Sequence, residues 1–404
     1  MVAFSSYSDN ELVEKMTTSE NEQLILKAFN HEPVEKIPSF VQSIMEGVWG
    51  PYLKKYEDNL DDDKILVTSI GDMTPFKAFG FSSHWVGAPG KKIEVTEALK
   101  AKVAELTAEV KKRDPRLAVN IMGGIKGSAV VDGGHTIGWH VGGAIRDAKL
   151  LEWWLDQLSL GKADPKIIEQ YEEGRRQCMA KNFVPIPGVS LIMEPAPQMV
   201  DFAMLSILMR KNPALLRRLF HFLTDIGIAE AEGALKAGYK ILASPDDCAY
   251  KHGPMISPAQ YREFVLPEMQ RLTTFIHETD PEARIFLHTD GDVYSLLDII
   301  VEGGMDGLNP LEVNSGMSLK RVKQSHGDKL AFVGNLDTAE LLPYGTEAAV
   351  RHQVHVILKE GMTGGIKTGH VFSACGTLHH AVKMENVVAM MDELHKINDG
   401  LVAL

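Results

Sequence analysis

An α/β fold closed as a single (β/α)8 (TIM) barrel is the architecture that this 404-residue sequence predicts. Three observations carry the prediction. In the second half of the chain an apolar run, a polar or Gly-containing turn and an amphipathic helix recur in that order. Such alternation implies parallel strands joined by crossover helices. The length suits an eight-stranded barrel of about 250 residues plus insertions better than two separate domains. No GxGxxG follows an early strand, so an open doubly wound sheet lacks its main support.

The elements follow in order. Residues 1–37 read as an N-terminal helical extension ahead of a first strand at 38–42. Another strand is expected at 189–193. Asn212-Pro213 then opens a helix, a side-chain cap followed by a proline whose missing N–H costs nothing there. Leu216, Leu219, Phe220 and Leu223 fall on one face of it, and Gly238 marks its end. After a strand at 239–243, Ser257-Pro258 starts the next helix, with Gln260 placed to close a capping box. Tyr261, Phe264, Val265, Leu272, Phe275 and Ile276 form its apolar stripe, and Pro267 should kink it. Further strands are expected at 284–287, 304–308, 330–333 and 364–366, with helices near 293–302, 317–324, 346–358 and 383–397.

The segment 121–143 departs from this repeat. It holds eight glycines together with His135, Trp139 and His140. That glycine density suits a hairpin or a lid over the barrel mouth; a long surface loop is the other reading.

Composition narrows the function. Hydrophobic residues make up 45% and charged residues 24%, an ordinary globular balance. A net charge of −12, with no basic run, argues against nucleic acid as a partner. No window nears the roughly 20 apolar residues of a membrane span. The N-terminus lacks the pattern of a signal peptide. Cys178, Cys248 and Cys375 are too few for a disulfide framework, so a cytoplasmic location is expected.

In a barrel, residues just after each strand line the catalytic mouth. Those positions hold Glu194, Asp246 and Asp247, His288 and Asp290, Asn309 and Glu312, Asn335 and Asp337, then His370 and Cys375. Adjacent carboxylates such as Asp246 and Asp247 raise one another's pKa, which suits a general acid or a group that binds a protonated substrate. Asp247 could instead pair with Lys251 or Arg262. Glu194 and Asp337 could equally cap helices. His288 and Asp290, two apart, share a face, and Cys375 could complete a zinc site with an exchangeable position. Alternatively His288 orients a loop and Cys375 is a small buried apolar residue.

The stretches SPDDCAYKHGPMISPAQYREFVLPEMQRL, FLHTDGDVYSLLDIIVEGGMDGLNPLEV, GDKLAFVGNLDTAELLPYGT and GGIKTGHVFSACGTLHHAVKMENVVAMMDEL resemble, in order and spacing, the uroporphyrinogen decarboxylase-like superfamily. LKAFNHEPVEKIPSF resembles its start. The resemblance spans most of the chain outside 121–188, and its corrinoid-dependent methyltransferase branch is the nearer one. Decarboxylases of this family carry an arginine-rich loop after the first strand. Here that loop, QSIMEGVWGPY, has no Arg or Lys and contains Glu46. Thiol-methylating members hold zinc with an H-x-C pair and a later Cys. His288 and Cys375 match the outer two, and Asp290 replaces the middle thiolate. A carboxylate there makes the metal harder and more electrophilic, suited to an oxygen-bound methyl group.

The resemblance thus implies a methyltransferase that takes a methyl group from a small substrate, such as a methoxylated aromatic, to the cobalt of a corrinoid protein. Zinc would be held by His288, Asp290 and Cys375. Asp247, Glu194 and His370 would be catalytic, and Asp246, Asn309, Asn335 and Trp139 would contact substrate. The corrinoid would come on a partner, since no D-x-H-x-x-G module is present, and a homodimer is expected. Transfer from corrinoid to a thiol or pterin, and decarboxylation, are the alternatives.

Overall fold

The computed structural model describes residues 19–55, 64–67, 69–130, 136–362 and 368–404. Eight parallel strands form the barrel: β1 Ser39–Val41, β2 Ser83–Val86, β3 Val184–Pro187, β4 Ile241–Pro245, β5 Arg284–His288, β6 Gly307–Asn309, β7 Ala331–Leu336 and β8 His370–Ala374. Each pairs with its neighbours in chain order, and β8 returns to β1. The ring closes between β3 and β4, where Gly188 bridges Ala243 and the Val189 N–H donates to the Ala243 carbonyl at 2.7 Å.

Beside α1 Glu20–Phe29, which precedes the barrel, the outer layer includes α2 Pro165–Ala180, α3 Pro195–Lys211, α4 Pro213–Lys236, α5 Leu266–Thr279, α6 Leu319–His326, α7 Glu347–Gly361 and α8 Met384–Asn398. Several start signals act as expected. Asn212 caps α4 by accepting from the Leu215 N–H at 3.2 Å. Ser257 and Gln260 form the capping box. The break expected at Pro267 falls just before it, as a π-helical turn at Tyr261–Val265.

Two cores result. One fills the lumen with Phe40, Ile186, Ala243, Phe286, Val333 and Val371, and Ile25, Ala28 and Phe29 of α1 plug its lower end. The larger core lies between strands and helices. At Gly233 of α4 the helix meets the loop after β2 so closely that a Cβ would stand 1.7 Å from the Pro89 carbonyl oxygen. Backbone cannot yield as a side-chain end can. Gly233→Ala is therefore expected to cost ~1–3 kcal/mol, read from chemical denaturation.

Two expected strands lie elsewhere. The strand placed at 189–193 is β3, Val184–Pro187, and 189–193 is an irregular buried segment. Pro185 and Pro187 disguise β3, because proline removes a ladder donor. They are tolerated since the N–H groups of Val184 and Gly188 point to β2, leaving the prolines facing the sparsely bonded β4 side. The strand placed at 364–366 is β8, His370–Ala374; residues 363–367 lie outside those described. His370 and Ser373, both buried, broke its apolar pattern.

Candidate active site and metal centre

Strand register assembles the site. Pro245 of β4 stands level with His288 of β5, which stands level with Asn309 of β6. Asp246 and Asp247 therefore leave β4 beside His288, and Thr289 and Asp290 continue from β5. The His288 ring faces Trp85 of β2 across the lumen, with centroids 5.1 Å apart.

His288 is 6% exposed, and its Nδ1 lies 2.6 Å from Asn309 Oδ1. The Asn309 amide nitrogen donates to the Val333 carbonyl at 2.8 Å. The amide oxygen therefore faces the imidazole, so Nδ1 carries the proton and donates. In the neutral ring Nε2 then keeps its lone pair. An outer partner that fixes tautomer and ring orientation in this way is what a metal-bound histidine needs.

Ligand atoms of Asp247, His288 and Asp290 all lie within 4.8 Å of one another. In a tetrahedral shell with bonds of about 2.0–2.2 Å, ligand atoms stand roughly 3.4 Å apart, so small side-chain shifts would close this set on an ion. Oδ1 of Asp290 is buried without a hydrogen-bond partner. A cation would satisfy it. Asp247 Oδ1 accepts from the Asp290 N–H at 2.9 Å, which ties the two acid-bearing loops together. One imidazole and two carboxylates make a hard donor set that fits a divalent ion such as zinc. Asn309→Ala would free the imidazole to rotate and is expected to weaken metal binding ~10–100-fold, measured by competition with a chelator.

The surroundings are acidic. Burial raises the Asp290 carboxyl to about 6 against the pull of His288, and the charges of Asp247 and Glu312 add to the rise. Glu312 Oε2 accepts from the Gly291 N–H and the Ser315 hydroxyl at 2.9 and 2.6 Å. Glu194 stands at the start of α3 with no capping bond from its side chain. Burial, then the charge of Asp247, raise its pKa, while His288 and Lys126 lower it.

Several expected residues act differently. Cys375 is not in the Asp247–His288–Asp290 cluster; its Sγ lies 3.7 and 3.6 Å from the Pro310 and Leu311 carbonyls. Burial raises its thiol far above the usual range, which disfavours the thiolate that a metal would bind. Asp247 is the third member of the cluster. His370 opens β8 at the end of the barrel away from the mouth, with Nε2 2.8 Å from the Gly334 carbonyl, so it is not placed for catalysis there. Its apparent strand-end position came from the misplaced strand.

Asp246 is fully buried and accepts from the Glu194 N–H at 2.9 Å. Burial raises its carboxyl to about 8 against the backbone N–H groups of residues 192–194, so it anchors that loop and is not exposed to substrate. Asn335 is 5% exposed and donates to the Leu311 carbonyl at 3.2 Å, a positioning role for the segment beneath Cys375. Asp247 pairs with neither Lys251 nor Arg262 among the described residues; Arg262 binds Glu302. Asp337 accepts from the N–H groups of Ala339, Glu340 and Leu341 and holds a turn, the bland alternative.

The glycine-rich segment is a hairpin. Its strands, Gly124–Val130 and Thr136–Gly143, pair antiparallel, and Leu117–Val119 adds a third. His135 lies outside the described residues. The Gly143 N–H bonds the Asp201 carboxylate of α3, which docks the hairpin beside the mouth. Trp139 pairs with Gly127 and lies under the Arg116 guanidinium, 5.2 Å from its ring centre. The neighbouring pair, Lys126 and His140, occupies the opposite face by strand alternation. Trp139 and Lys126 thus stand on opposite faces of the hairpin. Lys126 and Trp85 were missed. Trp85, in SHWV, would have been found once β2 was placed.

A family model for uroporphyrinogen decarboxylase (URO-D) matches residues 192–397, which include β4 to β8 and the acidic cluster. The chain belongs to the URO-D family. Among curated relatives of this family member, the uroporphyrinogen decarboxylase of Thioalkalivibrio sulfidiphilus is 29% identical over 199 residues, 48% of this chain and 53% of that protein. The enzyme of the same name from Xanthomonas campestris pv. campestris is 30% identical over 175 residues, 43% of this chain and 47% of its own length. The chain thus spans about half the length of the curated relatives it matches. Among solved structures, a methyltransferase from Methanosarcina mazei superposes with a TM-score of 0.57 at 17% identity, covering 94% of this chain and 99% of that one. At that identity the likeness shows the shared barrel fold. Among the described residues, no helix is long and apolar enough to cross a membrane.

Proposed function

We propose that this URO-D family member is a corrinoid-dependent methyltransferase that removes a methyl group from the oxygen of a small substrate, such as a methoxylated aromatic. The acceptor is the cobalt of a separate corrinoid protein. The observation that carries the reading is the cluster of Asp247, His288 and Asp290, with Nε2 of His288 left free by the Asn309–Val333 relay. A divalent ion held there supplies Lewis acidity to the leaving oxygen. Glu194, whose pKa burial raises, stands at the edge of the same site as the group that would deliver a proton to the departing oxygen, so that the products are a phenol and a methylated acceptor.

The acidity of the mouth bears on the main competitor. A porphyrinogen with several carboxylates would face Glu194, Asp247, Asp290 and Glu312, and the loop after β1 offers it no Arg or Lys. Such a substrate needs several cations around it, and this group of acids favours methyl transfer over decarboxylation.

The test is to incubate the protein with a methyl ether and a reduced corrinoid protein, following phenol release and the corrinoid absorption spectrum. Phenol release that requires both partners is expected. No turnover across a range of methyl ethers and methylamines overturns the proposal.

A further inference from the structure

At the end of the barrel away from the mouth, His31 follows the last turn of α1 in the left-handed region, at φ 57°, where glycine is the usual residue. Its Nδ1 is buried without a hydrogen-bond partner. Lys323 of α6 reaches the same point. It is 8% exposed, and its ammonium donates to the Thr368 carbonyl at 2.6 Å. Both nitrogens converge on Gly369, just before β8 and itself at φ 63°. A Cβ on Gly369 would stand 2.8 Å from His31 Nδ1 and 3.1 Å from Lys323 Nζ. The two nitrogens are therefore at most about 6 Å apart, a gap that one atom can bridge with two hydrogen bonds of about 2.7–3.2 Å. Among the described residues Lys323 makes no salt bridge, and burial lowers its amine only to about 8, so at neutral pH it is mostly an ammonium. The acids that share a cavity with His31 are Asp306 and Asp328, and Asp306 is bonded to His277 Nε2 and the Ile285 N–H at 2.9 and 2.8 Å. A bridging water would serve the two nitrogens and leave the buried charge unmatched, whereas an anion answers both.

We propose that His31 and Lys323 hold one monovalent anion of chloride size between them, with Gly369 as the floor of the site. Lys323 supplies the charge and an N–H, and His31 donates from Nδ1. The size follows from the gap, which one atom fills, and the single charge from the one unmatched ammonium. The anion ties α1, which plugs the lumen, to α6 and to the start of β8. This site is independent of the methyl-transfer reading.

A crystal of the full chain soaked in sodium bromide reads the site directly. Anomalous scattering at the bromine edge is expected to peak within hydrogen-bond reach of His31 Nδ1 and Lys323 Nζ. In solution, wild type, Lys323→Met and His31→Gly are unfolded with urea at fixed ionic strength, in sodium chloride or in sodium gluconate, whose anion is too large for the gap. An ion that binds only the folded chain multiplies the folding constant by one plus its concentration over its dissociation constant. Chloride at ten times that constant should therefore raise the wild-type folding constant about tenfold over gluconate. Lys323→Met should lose the increment. His31→Gly should lose it too, while unfolding no earlier than wild type in gluconate, because glycine accepts the left-handed backbone at position 31. A histidine that only packs would not separate the two salts in this way. The proposal is overturned by a soaked crystal with no bromide between the two nitrogens, by a wild type indifferent to chloride, or by an increment that both variants keep.

Discussion

Asp247→Asn is expected to strip the bound metal and abolish phenol release, whereas Cys375→Ala should leave the metal in place. Metal analysis by mass spectrometry of the purified variants reads both. Wild type should carry on the order of one zinc per chain. An amide at position 247 cannot replace an anionic ligand, while its Oδ1 can still accept from the Asp290 N–H. The loss should exceed the ~10–100-fold of a change outside the ligand set. His288→Ala should match Asp247→Asn. Metal lost from Cys375→Ala but kept in Asp247→Asn would restore the thiolate set implied by family resemblance. A folded wild type that takes up no zinc would move the weight to acid catalysis by Glu194.

At the other end of the barrel, Arg175→Ala should cost ~3–5 kcal/mol in stability, the usual effect of stranding one member of a buried ion pair. Arg175 of α2 donates to both oxygens of Glu22 of α1 at 2.9 and 3.0 Å, with side chains 9% and 3% exposed. Burial raises the Glu22 pKa even against the pull of Arg175, so the carboxylate is held at a desolvation cost. Two apolar residues of similar volume, Glu22→Leu with Arg175→Met, should therefore recover most of the loss. Denaturant unfolding of the two single variants and the double variant decides this. Additive losses in the double variant would contradict it.

The fold was legible wherever chemistry near the backbone decided it. Asn212, Ser257 and Gln260 cap as their residue types predict, because a cap needs only neighbours three residues away. The strands at β4 to β7 followed from short apolar runs. β3 and β8 did not, since prolines and buried polar groups hid them. Those two errors then spread to the site: β8 starts four residues after the expected strand ends, and this made His370 look like a mouth residue. His288, Asp290, Asp247 and Asn309 were legible from strand-end position. Their grouping was not. Whether Cys375 or Asp247 stands third depends on lateral register among β4, β5 and β8, which is long-range information. The face of Trp139 turned on a single residue of hairpin register, the least visible quantity of all.

The hairpin carrying Lys126 enters between β2 and β3, and among the described contacts it fastens to the mouth through Gly142 and Gly143 against α3. The acids and imidazole come from β4 and β5, more than a hundred residues later. The hairpin is thus an insert separate from the strands that carry the acids. Grafting another hairpin between residues 120 and 144 should therefore leave the grouping of Asp247, His288 and Asp290 in place.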